Sequence, residues 1–381
     1  MVDKKKSLNE VALRYASPLA KQKQNNGTIM IALGGDLFNK RRALQVVNHE
    51  IPKELIQSLK KVGTHFFELS SEAEKEAVAT PANSKDIQGY VTNSQQDVED
   101  KVDRVDHLFH NLSPPSSIDY RYWPKNPPEY RQVNEEYARQ AKKLAEKILG
   151  WLSEGLGLDR EALFNQGFGG GKKAVYTMKI NYYPPCRPQA NLVLGMQPHT
   201  DIHGLTILVP NEIPGLQVFK DDQWFDVEYN PSIINILIGD PIWRMSNGKY
   251  KNVLHRTTLN TEKTRMSWVV LLKPPYDMVI EPLMKHTGDG DEAPKFKPIT
   301  YGEHVERKVR DKLQKRPKII LMALRQGLMS SVGVTYGECC FDLLEEVRDV
   351  IPKYAHLHCS FLKILRFAVW NLNSTTMKHI N

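Results

Sequence analysis

Between Val175 and Leu272 the chain is cut into short apolar or alternating runs, each bounded by glycine, proline, asparagine or aspartate. The runs are Val175 to Ile180, Leu205 to Val209, Leu216 to Phe219, Ile233 to Ile238 and Met266 to Leu272. Each is long enough for one strand and too short for a stable helix, and their regular spacing signals an all-β barrel or sandwich. A strand with one apolar face is stable only when that face is covered, so the runs must pack on one another. The expected core is a double-stranded β-helix, the jelly-roll barrel.

Helical spacing precedes this core. Pro52 stands where a first helical turn tolerates proline, and Leu55, Leu59, Val62 and Phe66 form one stripe of a helix ending near Leu69. Ser71 with Glu74 makes a capping box for a short successor. Tyr137, Ala141, Leu144, Ile148 and Leu152 mark an amphipathic helix of about twenty residues, closed by Gly155-Leu156-Gly157. Leu44 to Val47 reads as a strand, and Ile29 to Leu33 as another within a frayed lead-in. From Thr80 to Pro128 the text is turn-rich and reads as a long connection, which inside a domain needs a functional reason. Phe168-Gly-Gly-Gly171 lacks a strand-to-helix context and reads as a turn, not a phosphate loop. The fold class is thus mainly β with α, a jelly-roll core flanked by N-terminal helices. Five regions are expected: 1–128 helical and irregular, 129–172 helical support, 173–276 the core, 277–316 a closing segment, and 317–381 a tail without an assignable motif.

Composition narrows the function classes. With 381 residues, 41% of them hydrophobic, the chain can bury a full core. No stretch approaches the roughly eighteen consecutive apolar residues of a membrane span. The opening Met-Val-Asp-Lys-Lys-Lys has no apolar segment behind it, which argues against secretion. Four cysteines without zinc-type spacing fit a reducing, cytoplasmic setting, and Cys186 after Pro-Pro reads as structural. The formal charge of +8 is spread along the chain among acids, so nucleic acid is not an expected partner. The protein is expected to act as a monomer.

The chemistry gathers at His199-Thr200-Asp201. Residues two apart on an extended segment share a face, so an imidazole and a carboxylate can reach one ion. His255 is the candidate third ligand. Two histidines and a carboxylate leave three positions open on a non-haem Fe(II) centre, while catalytic zinc accepts the same set with one position left for water. Arg265 and Ser267 tilt the choice toward iron, because an i, i+2 guanidinium and hydroxyl suit a second carboxylate, that of a metal-chelating dicarboxylate. His203 reads as a loop residue beside the site.

These words stand in a familiar order. Met-Lys179-Ile-Asn181-Tyr-Tyr183-Pro-Pro-Cys, His199-Thr-Asp201, Ile-Pro-Gly-Leu-Gln-Val-Phe, Lys-Asn-Val-Leu-His255 and Arg265-Met-Ser267-Trp resemble the plant 2-oxoglutarate-dependent dioxygenases, in particular their flavonoid-oxidising members, as do His107-Leu-Phe109 and Tyr122-Trp-Pro-Lys-Asn-Pro-Pro-Glu-Tyr upstream. The resemblance runs from about Gln45 to Arg316. It implies His199, Asp201 and His255 as Fe(II) ligands, Arg265 and Ser267 as anchor for 2-oxoglutarate, and Asn181 and Tyr183 facing metal and cosubstrate. It further implies O2 as oxidant, ascorbate as stimulant, and release of succinate and CO2. The implied reaction is desaturation of dihydroflavonols to flavonols, with oxidation of another flavonoid, as in an anthocyanidin synthase, or of an alkaloid as alternatives, and a non-catalytic binding homologue as the rival outside enzymes. His107, Phe109 and Lys179 match its substrate pocket. Two pocket positions depart: Leu271 and Lys273 stand where a phenylalanine and a glutamate are usual, removing a stacking ring and reversing a charge. Glu50 also replaces the glycine of the family's Val-Val-Asn-His-Gly, and glutamate accepts positive φ only at a cost.

Overall fold

The strand runs pair into two sheets in the computed structural model, which describes residues 44–81, 88–92, 105–171, 173–186, 194–283 and 293–311. The larger sheet takes β1 (Leu44–Val46), β2 (Gly89–Thr92), β3 (Asp106–Ser113), β4 (Val175–Tyr183), β6 (Leu205–Pro210), β9 (Ile234–Ile238) and β11 (Arg265–Lys273), in the order β1-β9-β6-β11-β4-β3-β2. The smaller takes β5 (Leu194–His199), β7 (Leu216–Lys220), β8 (Gln223–Asp226) and β10 (His255–Thr258), in the order β5-β10-β7-β8. All these pairings are antiparallel.

The two sheets face each other. Leu208, Val269 and Leu271 of the larger sheet share an apolar cluster with Leu216 of the smaller, and Leu237 packs with Val218 in a second. Burying each such side chain contributes about 1.5–3 kcal/mol, so this interior is what holds the sandwich closed. It is the jelly-roll core that the strand spacing implied.

Helices cover the outer face of the larger sheet. Along β11 the odd residues Arg265, Ser267, Val269 and Leu271 face the interior, while Met266, Trp268, Val270 and Leu272 lie on the other face and are buried too. Trp268 is fully enclosed because α1 (Lys53–Leu69) passes over it at Gly63, where an added Cβ would lie 2.5 Å from the indole nitrogen. The α1 stripe buries Leu59, Val62 and Phe66, and its end at Leu69 is the expected one. The capping box forms at α2 (Glu72–Glu76), with the Ser71 backbone N–H donating to Glu74 Oε2 at 2.8 Å. The long helix α3 (Tyr130–Gly155) runs 26 residues and buries all five residues of its stripe. It starts earlier than the stripe suggested, because Tyr130 and Asn134 are buried and the Asn134 amide donates to Tyr130 O at 2.7 Å. A last short helix, α4 (Asp240–Met245), follows β9.

The stretch from 80 to 128 departs from the sequence reading. It supplies β2 and β3 to the larger sheet instead of being only a connection. In β3 polar residues occupy both faces, and they are buried because partners meet them: the His110 ring pairs with the Tyr130 hydroxyl at 2.9 Å, and Asp106 accepts from Thr92 at 2.7 Å. An apolar alternation is therefore missing. The same holds for the short polar strands β5, β8 and β10. Gly169, Gly170 and Gly171 all have positive φ, in keeping with a turn. The readings of Ile29 to Leu33 and of 317–381 fall outside the described residues. The chain divides into two units, Met1–Gly302 and Glu303–Asn381, and the described part of the second, 303–311, is helical. No helix among the described residues is long and apolar enough to cross a membrane.

Candidate active site

Antiparallel pairing of β5 with β10 sets His199 directly opposite His255, and their rings lie 4.2 Å apart. Asp201 stands just past the end of β5, in a bend that three backbone bonds hold. Asp240 N–H donates to Asp201 O at 2.9 Å, Gly239 N–H to Gly204 O at 2.9 Å, and Gly204 N–H to Leu272 O at 2.8 Å. Gly239 is required there, since a Cβ would come within 1.7 Å of His203 O and 2.9 Å of Asp201 O.

The donor atoms of His199, Asp201 and His255 lie within 4.8 Å of one another. Each imidazole donates its Nδ1–H to a carbonyl two residues back, to Gln197 O at 2.8 Å and Val253 O at 2.9 Å. That leaves both Nε2 lone pairs free for an ion, the arrangement that orients metal-bound histidines generally. Each Nε2 is 3.7 Å from Asp201 Oδ1, too long for a hydrogen bond and suited to ligands around one ion. The other carboxylate oxygen accepts from Thr206 Oγ1 at 2.6 Å.

Electrostatics favour the ligating forms. Burial, with His255 beside it, pushes His199 down to about 3. Burial works to raise Asp201, but the two imidazoles and the Thr206 hydroxyl outweigh it and hold the carboxyl below its ordinary value. His199 keeps 32% of its side-chain exposure, against 8% for His255 and 11% for Asp201, so the open side is the His199 side.

Arg265 is 1% exposed, and its Nε and Nη1 have no hydrogen-bond partner. Leaving guanidinium N–H groups buried without partners is costly, which makes Nε and Nη1 candidates for seating an anion. Burial presses its pKa down, and the Tyr183 ring lies 5.0 Å from its Cζ. Gly215 makes room for the side chain, since a Cβ would lie 2.9 Å from Arg265 Cδ. Ser267 shares the same face of β11 and accepts from Asn181 Nδ2 at 3.0 Å.

The remaining sequence-derived positions distribute around this centre. The register brings Phe109 opposite Lys179 and His107 opposite Asn181, with the Lys179 ammonium 5.1 Å from the Phe109 ring and the His107 ring 5.6 Å from it. Leu271 is buried among Leu208, Leu216 and Val269. Lys273 ends β11, half-buried, apart from that cluster. His203 stays outside the three-residue group and faces the Tyr301 hydroxyl at 3.5 Å. Cys186 is a buried thiol, outside any disulfide, packed with Val105, Tyr183 and Leu259. Thr206, Gly215 and Gly239 support the site without a sequence signal: each looks like an ordinary strand or turn residue until its neighbour is known.

Comparison with known proteins agrees with this geometry. The 2OG-Fe(II) oxygenase superfamily profile matches residues 174–274, and the profile of the non-haem dioxygenase in morphine synthesis N-terminal region matches 42–130. A flavonol synthase/flavanone 3-hydroxylase of Arabidopsis thaliana is 61% identical over 265 residues, 70% of this chain and 77% of that protein. Its counterpart in Matthiola incana is 56% identical over 265 residues, 70% of this chain and 88% of that protein. Among solved structures, JOX2 in complex with 2OG, Fe, and JA superposes with a TM-score of 0.63 at 32% identity, covering 71% of this chain and 78% of that one.

Proposed function

Because the chain belongs to the 2OG-Fe(II) oxygenase superfamily, whose cofactors are Fe(II) and 2-oxoglutarate, we propose that it oxidises a flavonoid and works as a flavonol synthase, desaturating dihydroflavonols. The reading draws on the flavonol synthase relatives, and the observation that carries it is the joint presence of a His199, Asp201 and His255 cluster and a buried Arg265 whose Nε and Nη1 lack partners.

His199 and His255 would hold Fe(II) through Nε2 and Asp201 through Oδ1. Arg265 and Ser267 would bind the far carboxylate of 2-oxoglutarate, the guanidinium through paired charge-assisted N–H bonds that also set the cosubstrate's orientation. When bound, the iron with 2-oxoglutarate and O2 supplies the oxidant that removes two hydrogens from the substrate, leaving succinate, CO2 and water. Asn181 and Tyr183 sit beside the anchor and keep it in place. His107, Phe109 and Lys179 would receive the aromatic substrate, with the ammonium bringing a positive charge toward a phenolic oxygen. Leu208, Leu216, Val269 and Leu271 form an apolar wall that keeps water from the reacting carbons. Leu271 offers area without a stacking ring, and Lys273 offers a positive charge near the end of that strand, so substrate preference is tuned at these two positions.

Incubating the purified protein with Fe(II), ascorbate, 2-oxoglutarate and a dihydroflavonol should yield flavonol and succinate in equal amounts. Succinate release that no flavonoid stimulates would reject the flavonoid substrate while leaving the cofactor assignment. We also take the enzyme to be monomeric and cytoplasmic; light scattering and a fluorescent fusion check these two points.

A further inference from the structure

His107, Asn181 and Ser267 form a hydrogen-bonded line across three neighbouring strands, at matching register positions of β3, β4 and β11. Asn181 Nδ2 donates to Ser267 Oγ at 3.0 Å, and Asn181 Oδ1 pairs with His107 Nδ1 at 2.9 Å. All three are buried, at 8% exposure or less. The line therefore joins the anion seat at Arg265 and Ser267 to the aromatic cluster of His107 and Phe109.

An amide, a hydroxyl and a neutral imidazole are each donor and acceptor, so the line has two self-consistent orders. In the first, Asn181 Nδ2–H donates to Ser267, the Ser267 O–H is left for an outside acceptor, and His107 Nδ1–H donates to Asn181 Oδ1. His107 Nε2 is then an acceptor. In the second, the amide is turned over, Ser267 O–H donates to Asn181 Oδ1, and Nδ2–H donates to His107 Nδ1. His107 Nε2 then carries the proton. A carboxylate can only accept. Once it sits against Arg265 it takes the Ser267 O–H, and only the first order satisfies every group.

We propose that Asn181 is a positioning residue that couples the two halves of the site: a dicarboxylate at Arg265 and Ser267 sets the direction of the line and so turns His107 Nε2 into the acceptor for a hydroxyl of the aromatic substrate. This rests on the cosubstrate and flavonoid reading above. Linkage makes the effect reciprocal, so a substrate hydroxyl on His107 must tighten the dicarboxylate by the same factor.

Two measurements test the coupling. In calorimetry on the Mn(II)-loaded protein, a dihydroflavonol should tighten 2-oxoglutarate about fivefold or more, within the usual range of coupling between sites. In Asn181→Leu both ligands should still bind, with the dihydroflavonol changing 2-oxoglutarate affinity by less than about twofold. An undiminished factor in that variant would overturn the proposal, and Ser267→Ala provides the same comparison should the leucine variant not fold. The second measurement needs no aromatic ligand. In 15N-histidine spectra of the Zn(II)-loaded protein, with His107 assigned through His107→Gln, 2-oxoglutarate should shift the His107 ring to the Nδ1–H tautomer in the wild type and leave it unmoved in Asn181→Leu. A His107 signal that ignores 2-oxoglutarate in the wild type refutes the relay, whereas a dihydroflavonol that does not bind the wild type counts against the flavonoid reading alone.

Discussion

Arg265 concentrates the site's chemistry in one side chain. A guanidinium offers paired N–H donors in a fixed fork, and lysine replaces that fork with a point charge. Arg265→Lys should raise the KM for 2-oxoglutarate by roughly tenfold to a hundredfold, the equivalent of losing one charge-assisted hydrogen bond of about 1.5–3 kcal/mol. A steady-state titration of 2-oxoglutarate decides it, and an unchanged KM would remove Arg265 from the anchor. Glu50 is a second single-residue case. Its φ is 61°, and its carboxylate pairs with Lys147. A left-handed conformation at a non-glycine residue costs about 1–2 kcal/mol, whereas an exposed ion pair returns about 0–1 kcal/mol. Glu50→Gly should accordingly be more stable than Glu50→Ala by about 1 kcal/mol, because both lose the ion pair and only glycine relieves the backbone. Urea denaturation of the two variants tests this, with the reverse order as the disproof. Both residues are visible in the sequence as a motif member and as a departure from one. The burial of Arg265 and the lack of partners for its Nε and Nη1 are not.

At the scale of elements, the candidate metal site depends on a loop fitted against a turn. The bend carrying Asp201 is stitched to the start of α4 through Gly239 and Asp240, with no space for a side chain at residue 239. Gly239→Ala should weaken metal binding at least about tenfold while the protein stays folded, since the Cβ would push His203 and Asp201 apart from the turn. Gly63→Ala, by contrast, should lower stability by about 1–3 kcal/mol through overpacking against Trp268 and leave the metal affinity alone. Co(II) titration and thermal melts on both variants separate the two effects, and a Gly239→Ala protein with full metal affinity would show that the bend does not need this seam. The strands themselves were unevenly legible. β4, β6, β7, β9 and β11 carry apolar runs and could be located within a residue or a few. β3 could not, because Asp106, His107 and His110 are buried by hydrogen bonding, and hydrogen bonds leave no periodic trace. β5 and β10, which carry the candidate ligands His199 and His255, are short and lack an apolar run as well.

For the whole molecule, the interior decides how stability responds to acid and to ligands. His110 is fully enclosed between Trp123 and Tyr130, and burial pushes it down to about 3, against an ordinary value near 6.5. The unfolded chain thus binds a proton that the folded one refuses throughout that window, so stability falls as pH drops below about 6.5, by up to roughly 1.4 kcal/mol per unit from this one group. Melting curves from pH 7 to pH 4 should show a shallower loss in His110→Gln than in the wild type, and parallel curves would contradict it. Ligands act in the other direction: Mn(II) with 2-oxoglutarate at a hundred times the dissociation constant should add about 2.7 kcal/mol of stability, an increment that His255→Ala abolishes. The sequence alone determined the class of fold, the helix ending near Leu69, the helical stripe from Tyr137 to Leu152, and the candidate ligands, because apolar periodicity and short motifs are local properties of the chain. Tertiary structure decided what lies far apart in sequence and meets in space: the pairing of His199 with His255 across β5 and β10, the enclosure of Arg265 above Gly215, and the line from His107 through Asn181 to Ser267. Those relations depend on strand register and on which polar groups find partners when water is excluded, and neither is written in any one segment.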